Sequence, residues 1–282
     1  MGIGVVLALA WTLVPIYWMI NMTLMFEREI YLVPPHFWPH EPTVDWFTRI
    51  LGIPTAVVGI TEARASYRAP LIWKGIQNGI LVAIPVAIVT VLVGSVAGYS
   101  FGRFEFRHKT TLLIALLLTR AAPPIAMLIP FFFLFFRIGL IGTLQGLMIG
   151  YLSMTLPLVT WVLTGYFATL PVEAERAARI DGCTRLGALR KVLIPMAAPG
   201  IAACGILAFL IAWNEFIFAY VLTAGTDVTT LTPVLFGMQG GIPALGAASI
   251  LSMVPPAALA LVFQRYITRL RIVYPTTVSG AI

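Results

Sequence analysis

Six long stretches of the chain are apolar almost without a break, at roughly 2–24, 76–101, 111–136, 141–168, 198–222 and 244–267. A bilayer's hydrocarbon core is about 30 Å thick and an α-helix rises 1.5 Å per residue, so about 20 apolar residues cross it. Each stretch is long enough. None shows the alternation over about ten residues that a membrane β-strand requires. The pattern predicts an all-α membrane protein with six transmembrane helices in a single domain. The first stretch lacks a basic leader and is long enough to span, so it reads as a membrane helix rather than a signal peptide.

The polar segments between these runs differ in kind. Residues 25–74 form a long polar and aromatic connection, whose Trp38, Trp46, Phe47 and Tyr67 suit the headgroup region. Residues 102–110 are short and basic, 137–140 make a tight turn, 169–197 are charged and helical in pattern, and 223–243 are nearly uncharged. Eleven of the eighteen Lys and Arg residues fall on one side: Arg103, Arg107, Lys109, Arg176, Arg179, Arg185, Arg190, Lys191, Arg265, Arg269 and Arg271. Short basic loops stay in the cytoplasm. That side is therefore expected to be cytoplasmic, with both termini inside and the 25–74 and 223–243 loops outside.

Composition narrows the function. Of the 282 residues 60% are hydrophobic and 10% charged, with a mean hydropathy of +0.95. A soluble domain carries about 25% charged residues. A soluble enzyme, a disordered chain and a nucleic-acid-binding domain are all excluded, and the net charge of +7 reports orientation rather than a nucleic-acid partner. Cys183 and Cys204 make no disulfide framework, and no CxxC or His-rich cluster points to a metal.

Prolines and glycines shape the spans. Pro85, Pro123, Pro124, Pro130, Pro157, Pro255 and Pro256 lie inside them. Each removes a backbone donor and tends to kink its helix, which fits either helices bent around a pathway or an ordinary kinked bundle. Gly94 with Gly98, and Gly142, Gly146 and Gly150, recur every four residues, a spacing that lets a neighbouring helix approach closely.

The most informative segment is the loop at 171–195. Pro171 suits a first helical position, Glu173 and Glu175 suit a first turn, and Gly182 suits a left-handed helix end. Thr184 can cap a second helix through Ala188 and Leu189, with Arg190 and Lys191 near its end and Pro195 stopping it. A short helical hairpin of this kind serves either as a handle for a partner or as an interfacial anchor.

This segment resembles the "EAA loop" of permease subunits in binding-protein-dependent ABC importers. Ala177, Ala178, Asp181, Gly182 and the Ile194-Pro195 pair fall in register with that motif. The likeness extends along the chain through Pro15 with Trp18, Gln77-Asn78-Gly79, Ala97-Gly98-Tyr99 with Arg103-Phe104, Ile129-Pro130, Gly139-Leu140, Ala212-Trp213-Asn214-Glu215-Phe216, Thr232-Pro233 and Gln264-Arg265-Tyr266. It is closest to the carbohydrate branch, the second permease of maltose-type transporters. Two departures stand out. Arg176 occupies the place of the usual Glu, with Glu175 one residue earlier, and the usual Gly-rich basic ending is replaced by Tyr274 to Gly280.

The resemblance implies a type I ABC importer permease fold in the cytoplasmic (inner) membrane of a bacterium or archaeon. It implies a pore subunit with no catalysis and no cofactor of its own. Its partners would be a second homologous permease, two ATPase subunits carrying ATP and Mg, and an extracytoplasmic solute-binding protein. The cargo would be a sugar, oligosaccharide, polyol or glycerol-phosphate-type solute. Coupling to the ATPase would fall on Glu175, Arg176, Ala177, Ala178, Asp181, Gly182 and Pro195. The 223–243 loop would reach into the binding protein. The absence of GxxxxGK[ST] agrees with an outside motor.

Three groups in apolar surroundings are candidates for the translocation path: Arg120, Asn214 and Glu215. Charge in lipid costs roughly 2.5–3.5 kcal/mol on insertion scales, so Arg120 and Glu215 are expected to face protein. Arg120 would pair with Glu215, meet the partner permease or contact cargo. Two other classes compete: a stand-alone secondary transporter, and a membrane-embedded hydrolase. The hydrolase lacks any His within a span and any recognisable nucleophile–base pair.

Overall fold

Continuous apolar sequence folds here into helices of unequal length. The computed structural model describes residues 2–53, 60–238 and 241–267, with side chains at 2–53, 70–238 and 241–264. Arg269, Arg271 and the 274–280 ending lie outside the described residues, as do the side chains of Arg64, Tyr67, Arg68 and Arg265. In chain order the helices are α1 Gly2–Thr23, α2 Glu27–Ile30, α3 Asp45–Ile50, α4 Ile60–Arg103, α5 Lys109–Leu118, α6 Pro124–Arg137, α7 Leu144–Thr169, α8 Val172–Ile180, α9 Arg185–Ala188, α10 Ile194–Trp213, α11 Ile217–Leu222, α12 Leu231–Phe236 and α13 Ile242–Ile267. No strand occurs among the described residues.

Five helical stretches are long and apolar enough to cross a bilayer: Gly2–Thr23, Pro70–Arg103, Leu144–Thr169, Arg185–Trp213 and Ile242–Gln264. The expected single span at 111–136 is instead the pair α5 and α6, of 10 and 14 residues. At 1.5 Å per residue these reach about 15 and 21 Å, each short of the apolar core. The cause is the Pro123-Pro124 pair. Each proline keeps the residue before it out of the α region, so Ala122 and Pro123 interrupt the helix. The expected span at 198–222 likewise breaks at Asn214–Phe216, between α10 and α11.

Pro195 does not end the loop's second helix, as its ring and missing N–H suggest it should. Residues Leu189–Leu193 form a π-turn and helix continues through Pro195 into α10. The wider turn loosens the ladder of carbonyls that a proline ring would otherwise strike. The 223–243 stretch also contains more structure than expected, since it includes α12 and the start of α13.

The chain divides into two interleaved units. One comprises the described residues of Met1–Leu81, Phe135–Leu147 and Asn214–Ala257; the other those of Val82–Leu134, Met148–Trp213 and Ala258–Ile282. In the first, the end of α1 is buried at Asn21 and Thr23 while its first half stays exposed. Trp46, expected at the headgroups, is 4% exposed beneath the Arg49 guanidinium, 4.9 Å from its ring. Asn78 on α4 donates to the carbonyls of Asp227 and Thr229 at 3.2 and 2.9 Å, and Lys74 pairs with Asp227 at 3.1 Å. These contacts fasten the loop before α12 to α4. Gly142 is not part of a helical ridge: it precedes α7 in a left-handed turn (φ +69°) against Thr226, and its N–H donates to Leu222.

In the second unit α4 lies along α7 with almost no gap. A Cβ on Gly98 would stand 2.8 Å from that of Leu163, and one on Gly102 would stand 2.8 Å from the Thr164 carbonyl oxygen. The glycine spacing on α4 thus marks a real close approach. The core above it joins Tyr99, Val159, Leu163, Phe167, Leu189, Leu193, Ala197, Cys204 and Ala208, from α4, α7, the π-turn and α10.

Candidate functional site: the loop between α7 and α10

The loop's local structure follows from its punctuation. Helix α8 begins at Val172, so Pro171 is its cap rather than its first residue. At the far end Gly182 adopts φ +87°. The Cys183 N–H donates to the Ala178 carbonyl at 3.0 Å, and the Gly182 N–H to Arg179 at 3.2 Å. This is the Schellman closure that a glycine permits. Thr184 then caps α9, its hydroxyl accepting the Gly187 N–H at 3.1 Å. Two alanines, Ala178 and Ala188, are buried where the hairpin closes on itself, 7% and 0% exposed.

Glu175 points inward. Its carboxylate accepts the Tyr99 hydroxyl at 2.6 Å and lies 3.8 Å from Arg103 Nε. Arg103 also donates to the carbonyls of Leu170 and Pro171, at 2.8 and 3.3 Å, closing the end of α7. Both side chains come from α4, four residues apart on the face that also carries Gly98 and Gly102. Tyr99 stacks edge-on against Phe104 at 5.1 Å, and the Arg185 guanidinium covers Phe104 at 5.1 Å. The loop is therefore bolted to the end of a membrane helix by a charge-assisted hydrogen bond and an ion pair.

The outer face of the loop has a different character. Arg176 and Ala177 are exposed, Ile180 is 85% exposed, and Leu186 is 68% exposed. Residues 173, 176, 177 and 180 share one side of a 3.6-residue helix. A cleft of about 370 Å³ beside it is lined by Arg103, Arg176, Arg179 and Arg185 together with Glu175 and Val172. The surface offered outward carries Glu173, Arg176 and Arg179 beside large apolar residues.

Of the residues expected for coupling, Glu175 and Ala178 are thus turned into the chain, Arg176 and Ala177 face out, and Asp181 and Gly182 form the turn. Pro195 sits in α10. Tyr99 and Arg103 were missed in this role. Their four-residue spacing was readable, but the 76 residues separating Tyr99 from Glu175 left their pairing to the fold.

The intramembrane candidates lie at helix breaks. Arg120 follows α5 and donates to the Met154 carbonyl at 2.9 Å. The Glu215 carboxylate accepts the N–H groups of Phe218 and Ala219 at 3.0 and 3.1 Å, capping α11, and its own carbonyl accepts the Thr232 hydroxyl at 2.6 Å. Asn214 is exposed at the same break. Away from these, Glu29, His36 and His40 converge in the segment after α1, although no metal cluster was legible there.

Residues 90–272 match the family model described as "Binding-protein-dependent transport system inner membrane component". Among curated proteins, the chain is 33% identical over 271 residues to the trehalose/maltose transport system permease protein MalG of Thermococcus litoralis, covering 94% of this chain and 91% of that one. It is 29% identical over 272 residues to the sulfoquinovosyl glycerol transport system permease protein SmoH of Agrobacterium fabrum, covering 95% and 88%. Among solved structures, a chain of a bacterial ABC transporter involved in the import of the acidic polysaccharide alginate superposes with a TM-score of 0.69 at 22% identity, covering 94% of this chain and 93% of that one.

Proposed function

The chain belongs to the family of inner membrane components of binding-protein-dependent transport systems and is a pore-forming permease with a type I ABC importer fold; from that premise, we propose that it imports a sugar-like solute and is driven through the loop at 171–195. The observation that carries the mechanism is the division of labour across α8. One face is fixed to α4 through Glu175, Tyr99 and Arg103, and the other presents Arg176, Ala177 and Ile180 outward. A push on the outer face passes to α4 without first being absorbed by a flexible joint. Two states of the membrane helices, biased by a partner at this distance, suffice for alternating access.

In this reading the partners are two ATPase subunits that bind ATP and Mg, a second homologous permease and a solute-binding protein. The loop side is cytoplasmic, with both termini inside. With Arg176 and Arg179 outnumbering Glu173 on the outer face, the matching ATPase groove carries acid. The cargo is a sugar, oligosaccharide, polyol or glycerol-phosphate-type solute, in keeping with the trehalose, maltose and sulfoquinovosyl glycerol named for its relatives. Arg120 lies at one helix break and Asn214 at another, and discontinuous helices of this kind carry the binding sites of transporters. Glu215 holds α11 together.

Cysteine cross-linking in the assembled complex tests this reading. A cysteine at Ile180 or Ala177 is expected to bridge to the ATPase, whereas one at buried Ala178 is not. Failure at both exposed positions refutes docking through α8.

A further inference from the structure

We propose that Glu29, His36 and His40 form a divalent-metal site suited to zinc, in the segment between α1 and α3. Glu29 is the third residue of α2, and its side chain is 8% exposed. Its Oε1 lies 3.0 Å from His36 Nδ1 and 3.0 Å from His40 Nδ1, and accepts the His40 backbone N–H at 2.8 Å. The two imidazole rings stand 3.9 Å apart, centroid to centroid. All three ligand atoms fall within 4.8 Å of one another.

The donor set and the spacing both favour an ion. Zinc binds His nitrogen at about 2.0–2.1 Å and carboxylate oxygen at about 2.0–2.2 Å, so tetrahedral ligands lie about 3.3 Å apart. The separations of 3.0 Å between the carboxylate and each ring need to open by only a few tenths of an ångström. Two imidazoles and one carboxylate suit zinc, whereas calcium and magnesium require oxygen throughout. Without metal, ring N–H groups donate to the same carboxylate oxygen. The ion replaces those protons, and they are released on binding. The site has a buried floor at Glu29 and an open mouth at His40, which is 68% exposed and leaves room for a fourth ligand. An ion pair between Arg28 and Glu41 draws the two ends of the segment together. The site does not depend on the transport reading or on which side of the membrane it faces.

The full-length chain, purified without a polyhistidine tag and stripped with EDTA, is titrated with Zn²⁺ against a chromophoric chelator. One equivalent is expected to bind. His36→Ala and His40→Ala should each weaken binding by more than about tenfold, since even outer partners of a ligand are worth 10–100-fold. Glu29→Gln should do the same while keeping the carboxylate's shape. Zn²⁺ should also slow amide exchange across residues 29–40 in the wild type and leave it unchanged in His40→Ala. Because His40 is exposed, that variant should fold. No stoichiometric binding, or binding indifferent to His40→Ala, overturns the site.

Discussion

Tyr99 sets a hydroxyl against Glu175 where little water reaches, so the cost of losing one falls on the other. A hydrogen bond to a charged group is worth about 1.5–3 kcal/mol. Tyr99→Phe should lower unfolding stability in detergent by that order, and a double-mutant cycle with Glu175→Gln should show that the two losses do not add. Gly98→Ala should cost about 1–3 kcal/mol, because its new methyl meets Leu163. Gly165→Ala, on the same pair of helices but with open space around it, should cost nothing in the same melt. At Glu29 burial pushes the carboxyl up, but the His40 backbone N–H and the two His rings outweigh it and hold it at about 2, below the ordinary 4.5. A folded value below the unfolded one gives stability that is whole above the ordinary range and fades as pH falls toward 2. The difference in unfolding between metal-free wild type and Glu29→Gln should therefore shrink over that interval.

Among elements, those whose cause is local were legible in sequence. Gly182 and Thr184 carry their own conformations, and the structure has them where the spacing put them. The long apolar runs gave α1, α7, α13 and the apolar part of α4 because length and hydrophobicity alone decide them. Helix α4 itself begins at Ile60, inside the polar stretch at 25–74 expected to be a connection. The break after α5 was harder to see: Pro123-Pro124 looked like two kinks in one rod, and only the shortness of the pieces shows that the rod has ended. Pro195 misled for the opposite reason, since the π-turn that accommodates it depends on Leu189 and Leu193 being drawn into the core. The inward turn of Glu175 depended on a tyrosine in another helix. Docking through α8 predicts that Ile180→Glu leaves the permease folded and membrane-inserted but abolishes ATPase stimulation in the assembled complex.

For the whole molecule, the reading of a driven pore makes a stricter demand. Reconstituted alone, the chain should accumulate no sugar in vesicles, and uptake should begin only when the ATPases, the second permease and a loaded binding protein are supplied. Cysteines at Arg107 and Trp38 should react with a membrane-impermeant reagent from opposite faces of the bilayer. The π-turn adds a condition on how the loop joins α10. It holds one residue more than an α-helix of the same rise, and because the wider turn absorbs that residue the helices on either side keep nearly the same phase. Deleting Lys191 would give back regular winding with α9 and α10 still nearly in phase, and would set the Pro195 ring against the carbonyl four residues before it. The join between the hairpin and α10 thus rests on a single surplus residue, and a mutant without it should melt earlier in detergent while still inserting in the membrane.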